Sequence, residues 1–472
     1  MPTTYAVGPR YASVDRAHAP ARPRPLNPSP RPAEYRARYR TVVPPTRWRW
    51  IDVPDGKCSD GTGSRSHGGD GHGLLPGRCL DAAHGRRRAR DGGAGPAPPT
   101  TPGGDVTGAP GATTPRVVAL VPAHDEAEAL PATLASLRAQ TRPVDRVVVV
   151  SDNSTDATVE VARALGADVL ETVGNTDRKA GALNQALARV EAELVLVLDA
   201  DTTIAPTFVA EGLALLDARP TLGAVGGVFR GTPPASLLEQ LQANEYERYG
   251  VQVDVTGRTS VLTGTAALVR RDALAAVARA RGRTLPGPPG AAYDPRAITE
   301  DSELTLALRT LGYELASPAS MSCTTELMPT PRDLHRQRVR WYKGMLDNLR
   351  AYGFTRVTAR YVGQQAMLAI GTLMLAALVV LTALSVATGT FRLVPFWLAV
   401  GAVLVTERLV TVWRVGRRGR LVASAVLPEL AYDMFLQLAF VRACWLAATA
   451  RDAGWHHVRR DAPPPRVAVA AA

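Results

Sequence analysis

Two carboxylates one residue apart, Asp199 and Asp201, close the apolar run Leu194–Leu198. At a strand end such a pair can share a divalent cation together with the phosphate oxygens it neutralises. The bland alternative is a helix cap, which Asp after a strand often is. Asp152 also follows an apolar run, Val147–Val150, in Ser-Asp-Asn-Ser-Thr-Asp. There it serves either as an Asx turn or as a carboxylate that bonds a base or ribose edge. Arg178-Lys179 opens a helical stretch, where the helix dipole disfavours cations, so an anionic ligand would explain the placement as well as a solvated surface pair does. Thr299-Glu300-Asp301 precedes the helical stretch Ser302–Leu311. It reads as a cap with acids in the first turn, or as a site where Asp301 is a general base toward an acceptor hydroxyl. In Gln337-Arg338-Val339-Arg340-Trp341, an indole can stack on a sugar face while Arg binds phosphate oxygens, or the segment is an interfacial amphipathic helix.

These residues need a scaffold, and local patterns supply one. Val117–Val121, Val147–Val150, Asp168–Val173 and Leu194–Leu198 read as strands. Helix-period segments lie between them, through Leu130, Leu134 and Leu137, across Val159–Leu165 and across Gly181–Val190. Alternating buried strands and helices predict an α/β fold with a mostly parallel, helix-covered, Rossmann-like sheet. Ligands of such sheets sit at the carboxyl ends of the strands, where Asp125-Glu126, Asp152 and Asp199 all fall.

The chain is 472 residues long with a net charge of +12, enough for two or three folding units. Only Lys57, Lys179 and Lys343 are lysine, so the Arg excess follows a composition bias and does not by itself indicate nucleic acid. Residues 1–115 carry 17 Arg and Lys against 9 Asp and Glu, are rich in Pro and Gly, and read as a disordered tail. Cys58, His67, His72 and Cys79 fit no zinc-finger spacing, and four cysteines exclude a disulfide scaffold. No apolar h-region opens the chain, so no secretory signal is expected. No aromatic-interleaved basic patch in the ordered part points to nucleic acid.

The last third is membrane-like. Ala366–Ala387 is long enough, and without charge, to span a bilayer core of about 30 Å. Leu393–Trp413 reads as a second span, and Leu421–Ala450, interrupted by Pro428, Glu429, Asp433 and Arg442, as one that spans, re-enters or lies in the interface. The loop with Arg414, Arg417, Arg418 and Arg420 belongs on the cytoplasmic side, which puts the preceding soluble domain there too. A third full span would export Arg451, Arg459 and Arg460, against the same rule. The expected organisation is a tail at 1–115, a catalytic domain with interfacial helices at 116–350, a membrane region of two to three helices at 351–455 and a tail at 456–472.

In order, the chain reads Pro-Ala-His-Asp-Glu, Ser-Asp-Asn-Ser-Thr-Asp, Lys-Ala-Gly-Ala-Leu-Asn, Asp-Ala-Asp, Thr-Gly-Thr-Ala, Thr-Glu-Asp and Gln-Arg-Val-Arg-Trp. In this series, residues 116–450 resemble the membrane-embedded, processive family 2 glycosyltransferases, the group of cellulose, chitin, hyaluronan and poly-N-acetylglucosamine synthases. The resemblance implies a GT-A fold and inverting transfer from a UDP-sugar, N-acetylglucosamine or glucose, to a growing cell-surface β-glycan. It implies that Glu126 and Asp152 hold the uridine and that Lys179 binds near the uracil or phosphate. Asp199 would serve the ribose or metal side, and Asp201 would ligate Mg²⁺ or Mn²⁺. Thr263, Gly264, Thr265 and Glu300 would shape the acceptor pocket, with Asp301 as the base. Gln337 and Arg340 would steady the leaving UDP, and Trp341 would stack on the acceptor sugar. His124 departs from the Tyr or Asn more usual there, and no membrane helix precedes the transferase segment. Export of a polymer would then call for a partner subunit or a dimer.

Two other functions fit parts of the pattern. One is transfer of a single sugar to a polyprenyl-phosphate lipid, against which Gln337, Arg340 and Trp341 argue as holders of an acceptor chain. The other is an inactive membrane scaffold, against which the crowded carboxylates argue, since unused like charges at one crevice destabilise the fold.

Overall fold

A computed structural model describes residues 116–451. The tails expected at 1–115 and 456–472, and the Cys58, His67, His72 and Cys79 group, lie outside the described residues.

The strands β1 (Val117–Ala123), β2 (Arg146–Ser151), β3 (Asp168–Glu171) and β4 (Leu194–Leu198) form one side of a seven-stranded sheet. Its order is β3-β2-β1-β4-β8-β6-β9, completed by β8 (Ala266–Arg270), β6 (Leu222–Gly226) and β9 (Glu314–Ala316). β1, β2, β3 and β4 run parallel, as do β6 and β9, whereas β8 runs antiparallel to both its neighbours. Every residue of β4 is buried, as the continuous Leu and Val run demands of a strand covered on both faces. One face packs on α3 (Arg178–Arg189), α6 (Arg271–Ala280) and α7 (Glu300–Thr310) through Leu183, Ala186, Leu274 and Leu308. The other packs on α1 (Leu130–Arg138), α2 (Thr158–Ala164) and α4 (Phe208–Ala218) through Leu134, Ala162 and Phe208.

The antiparallel β8 decides the site. Its register sets Ala266 opposite Leu198, so the residues before β8 arrive at the same sheet edge that β1, β2 and β4 reach with their carboxyl ends. Asp199 N–H donates to the Thr265 carbonyl at 2.9 Å, extending the ladder one step past the strand. A smaller sheet, β5 (Thr203–Ile204), β10 (Ser322–Thr325) and β7 (Val228–Gly231), flanks that edge.

Two long helices close over it. α5 (Leu237–Thr256) begins at Ser236, whose hydroxyl accepts the Glu239 N–H at 3.1 Å. α8 (Pro331–Tyr352) begins at Thr330, with Pro at the first turn. α8 packs on α7 where Gly344 meets Thr299; a Cβ there would lie 2.3 Å from Thr299 Oγ1, so only Gly permits the approach.

Beyond α8 come α9 (Ala359–Ala387), α10 (Pro395–Thr411), the short α11 (Arg417–Ser424) and α12 (Val426–Ala448). Among the described residues, α9 and α12 are long and apolar enough to cross a membrane by length and composition. Leu393–Trp413, expected as a second span, contains the 17-residue α10. At 1.5 Å per residue α10 covers about 25 Å, a little less than a bilayer core, and Glu407 and Arg408 lie near its end. α12 lies along α8: Tyr432 packs on Leu334, and Ala439, Ala443 and Leu446 on Val339. Arg408 pairs with Glu429 and Asp433 of α12, and Arg248 of α5 stands 3.4 Å from Glu429.

Candidate active site

A cavity of about 790 Å³ opens at the strand-end edge, under α5 and α8. Glu126, Asp152, Lys179, Asp199, Asp201, Thr263, Gly264, Thr265, Glu300, Asp301, Gln337, Arg340 and Trp341 all line it. They come from seven separate stretches of chain.

On the β2 side, Asp152 is held in one orientation. Its Oδ1 accepts from Asn175 Nδ2 at 2.7 Å, from Thr172 Oγ1 at 2.9 Å and from Asn153 Nδ2 at 3.0 Å. His124 bonds through Nδ1 to the Asp152 carbonyl at 2.6 Å, so it braces the backbone beneath that carboxylate. Asp125 adopts φ 55°, a left-handed conformation that Asp tolerates, and accepts the Thr155 N–H at 2.6 Å. Backbone bonds of that kind outweigh burial and hold the Asp125 carboxyl below its ordinary range. Asn175 is fitted against Gly181, where a Cβ would lie 1.9 Å from Asn175 Oδ1.

At the centre, Lys179 Nζ stands 2.6 Å from Asp199 Oδ1 and 2.8 Å from Glu300 Oε1, and donates to the Gly264 carbonyl at 3.0 Å. The anion that a cation at the start of α3 requires is thus supplied within the protein. Burial works against the Lys179 ammonium, but Asp199 and Glu300 outweigh it and raise its pKa. The Asp199 carboxyl is pushed up to about 6 by burial and the neighbouring Asp201, against the pull of Lys179. Glu300 goes the other way: burial would raise it, but Lys179 holds it low.

Asp301, one residue along α7, is pushed up to about 6 by burial and by the Glu300 charge. Its Oδ2 accepts the Gly264 N–H at 3.1 Å and its Oδ1 the Ser302 N–H at 2.7 Å. Thr299 occupies the cap position of α7 without capping it; its hydroxyl bonds Ser302 Oγ at 2.7 Å and locks the turn. The expected cap is therefore replaced by a side-chain latch that α8 covers through Asn348, which donates to Ser302 Oγ at 2.9 Å. Thr263 and Thr265 bond each other at 2.7 Å across Gly264.

The wall formed by α5 escapes a reading of periodicity. Glu245, Tyr246 and Tyr249 face the cavity from it. Burial pushes the Tyr249 hydroxyl up to about 12, with the Asp301 charge adding to it, so it stays protonated. Gln240, Gln242 and Asn244 on the same helix are buried, so its polar residues do not mark a solvent face. The available signal was Ser236 with Glu239 three residues on, a capping pair.

Chemically, the arrangement offers hard oxygen donors at Asp199 and Asp201, a carboxyl poised near neutrality at Asp301, and cations at Arg340 and Lys179. Residues 118–277 match the model of glycosyl transferase family 2. The chain is 27% identical over 242 residues to a poly-beta-1,6-N-acetyl-D-glucosamine synthase of Staphylococcus epidermidis, covering 48% of this chain and 53% of that one. A synthase of the same name from Staphylococcus aureus (strain COL) is 26% identical over 235 residues, with 48% and 53% covered. The chain spans about half the length of these curated relatives. In fold it is like a mannosyltransferase of Pyrobaculum calidifontis solved with GDP-Man and Mn²⁺, with a TM-score of 0.50, 22% identity, and coverage of 72% of this chain and 89% of that one. Residues 118–277 are thus similar to a glycosyl transferase family 2 domain, and the seven-stranded sheet they contribute to has the GT-A fold.

Proposed function

We propose that this domain transfers N-acetylglucosamine or glucose, with inversion, from a UDP-sugar to a growing β-glycan at the cytoplasmic face of a membrane. The observation that carries the reading is one cavity holding a paired-carboxylate corner, Asp199 and Asp201, together with a carboxyl near neutrality, Asp301.

Asp152, with Glu126 beside it, accepts N–H or O–H donors of the uridine. Arg340 and Gln337 bind the departing diphosphate. Asp301 takes the acceptor proton as its oxygen attacks the anomeric carbon from the face opposite UDP. Trp341 stacks on the acceptor sugar, and Thr263, Gly264 and Thr265 form the floor beneath the scissile bond. Glu300 acts here by fixing Lys179 and raising Asp301.

The donor set fits a divalent cation. Asp199 and Asp201 are both carboxylates, and Asp201 raises the cost of charge on Asp199, a cost that a cation relieves. No group of three or more ligating side chains occurs among the described residues, so diphosphate oxygens would complete the shell, as is usual for Mg²⁺. The mannosyltransferase noted above was solved with Mn²⁺. Bound there, Mg²⁺ or Mn²⁺ would neutralise the diphosphate as charge builds on it.

The membrane arrangement follows from two anchors. Near its start α9 is tied to the domain by Tyr361, whose hydroxyl donates to the Ser260 carbonyl at 2.7 Å. The end of α10 pairs through Arg408 with Glu429 of α12, from which Arg248 of α5 stands 3.4 Å, and Asn244 of α5 donates to the Gly419 carbonyl of α11 at 3.0 Å. α9 and α10 are therefore the outward and return legs, α10 with local thinning of the bilayer. α12, laid along α8, rests in the interface. This keeps Arg417, Arg418 and Arg420 on the catalytic, cytoplasmic side. The domain limits are 116–350 and 351–455, and export of a long product would need a partner subunit or a second copy.

The test is UDP release by the purified chain with Mn²⁺, across UDP-glucose, UDP-N-acetylglucosamine and UDP-glucuronate, beside Asp301→Asn. Turnover of one donor that vanishes in Asp301→Asn supports the reading. Turnover only on adding polyprenyl phosphate would replace the glycan by a lipid acceptor. No turnover and no metal-dependent UDP binding would leave a scaffold.

A further inference from the structure

Between Gln337 and Trp341 on α8 stands Arg338, whose side chain is 2% exposed and is not part of the cavity wall. Its Nη2 donates to Glu245 Oε2 of α5 at 2.8 Å, and its Nη1 donates to Gln337 Oε1 at 3.0 Å. Its guanidinium lies over the Trp341 ring, 4.3 Å from the centroid. Tyr432 of α12 donates to the same Glu245 oxygen at 2.6 Å. Arg338 Nε has no hydrogen-bond partner among the described residues, so the buried cation is balanced through its Nη groups, and the carboxylate they reach is Glu245.

Each contact constrains a site residue. Guanidinium has only donors, so the Gln337 amide must turn its oxygen inward and its NH₂ toward the cavity. With one Trp341 face covered, a sugar ring can stack only on the other.

We propose that Glu245 is a positioning residue for the acceptor wall: through Arg338 it presents one face of Trp341 to the acceptor, and Tyr432 locks that arrangement to the membrane-proximal helix. The inference rests on the acceptor wall assigned above. It makes the acceptor site sensitive to how α12 sits, while the nucleotide side, anchored by Asp152 and Asp199 on the sheet, meets this device only through Gln337 and depends on it little.

The test uses the full chain in detergent and measures calorimetrically the binding of UDP with Mn²⁺, then of an N-acetylglucosamine oligosaccharide to the loaded protein. Glu245→Gln alone leaves Arg338 buried without its counter-charge and risks misfolding. The double variant Glu245→Gln with Arg338→Met removes both charges, and Tyr432→Phe removes one hydroxyl. The double variant is expected to weaken oligosaccharide binding about tenfold and Tyr432→Phe about threefold, with UDP affinity within twofold of wild type. Placed on Trp341→Leu, the double variant should cost less than a further twofold, because its effect passes through that ring. Unchanged oligosaccharide affinity, an equal loss of UDP affinity, or full additivity with Trp341→Leu overturns the inference. A wild type that binds UDP but no oligosaccharide overturns it too and leaves the donor site standing, whereas a wild type that binds neither sinks the transferase reading itself.

Discussion

Asp301 Oδ2 accepts the Gly264 backbone N–H at 3.1 Å, and a Cβ added at Gly264 would lie 3.0 Å from that same oxygen. The loop before β8 thus sets the position of the carboxyl at the start of α7. Gly264→Ala should push Asp301 off its acceptor and lower kcat about 10- to 100-fold, since sub-ångström misplacement of a base is costly. UDP affinity should hold, and steady-state kinetics beside UDP titration will separate the two.

Removing the base altogether is a sharper change. Asp301→Asn keeps the shape and the Gly264 bond but cannot take a proton. Transfer should fall about 10²- to 10⁴-fold, with metal-dependent UDP binding retained. Retained transfer would assign the base to another residue.

Acidity should matter in one direction. Burial and the Glu300 charge push the Asp301 carboxyl up to about 6. A base must be deprotonated, so kcat/KM should rise with pH through about 6 and level off above it. Glu300→Gln removes one raising charge and should move that limb to lower pH. A limb that stays in place in Glu300→Gln would mean that another group sets it.

Lys179 neutralises two carboxylates at once, at 2.6 Å and 2.8 Å. With those side chains 16% to 29% exposed, solvent offsets part of the loss when the cation goes. Lys179→Met should therefore destabilise the domain by about 1–3 kcal/mol. Mn²⁺ with UDP should recover much of it, by placing new positive charge beside Asp199. Thermal melts with and without the pair measure both.

Gly344→Ala tests how α8 is seated. The new methyl would meet Thr299 Oγ1 at 2.3 Å, so α8 must lift from α7 at a cost of about 1–3 kcal/mol. Because α8 carries Gln337, Arg340 and Trp341, acceptor use should fall along with the melting temperature.

What the chain declares locally is the sheet and its strand ends. β1, β2 and β4 carry the apolar runs Val117–Val121, Val147–Val150 and Leu194–Leu198, and a carboxylate after such a run lies at the ligand edge whatever the rest of the chain does. Only tertiary structure brings Thr265 beside Asp199, because that depends on β8 entering antiparallel, and only it gives Lys179 its partner at Glu300, 121 residues away. α5 left little periodic trace, because helices and sheet enclose it and bury its Gln and Asn residues beside its apolar ones. Hydropathy marked the apolar stretches of the last third, but it could not tell that α12 lies along α8, since an apolar helix looks alike whether lipid or protein covers it. Periodicity reports the covering of one segment; which distant segment does the covering, and which charge meets which, is settled by packing.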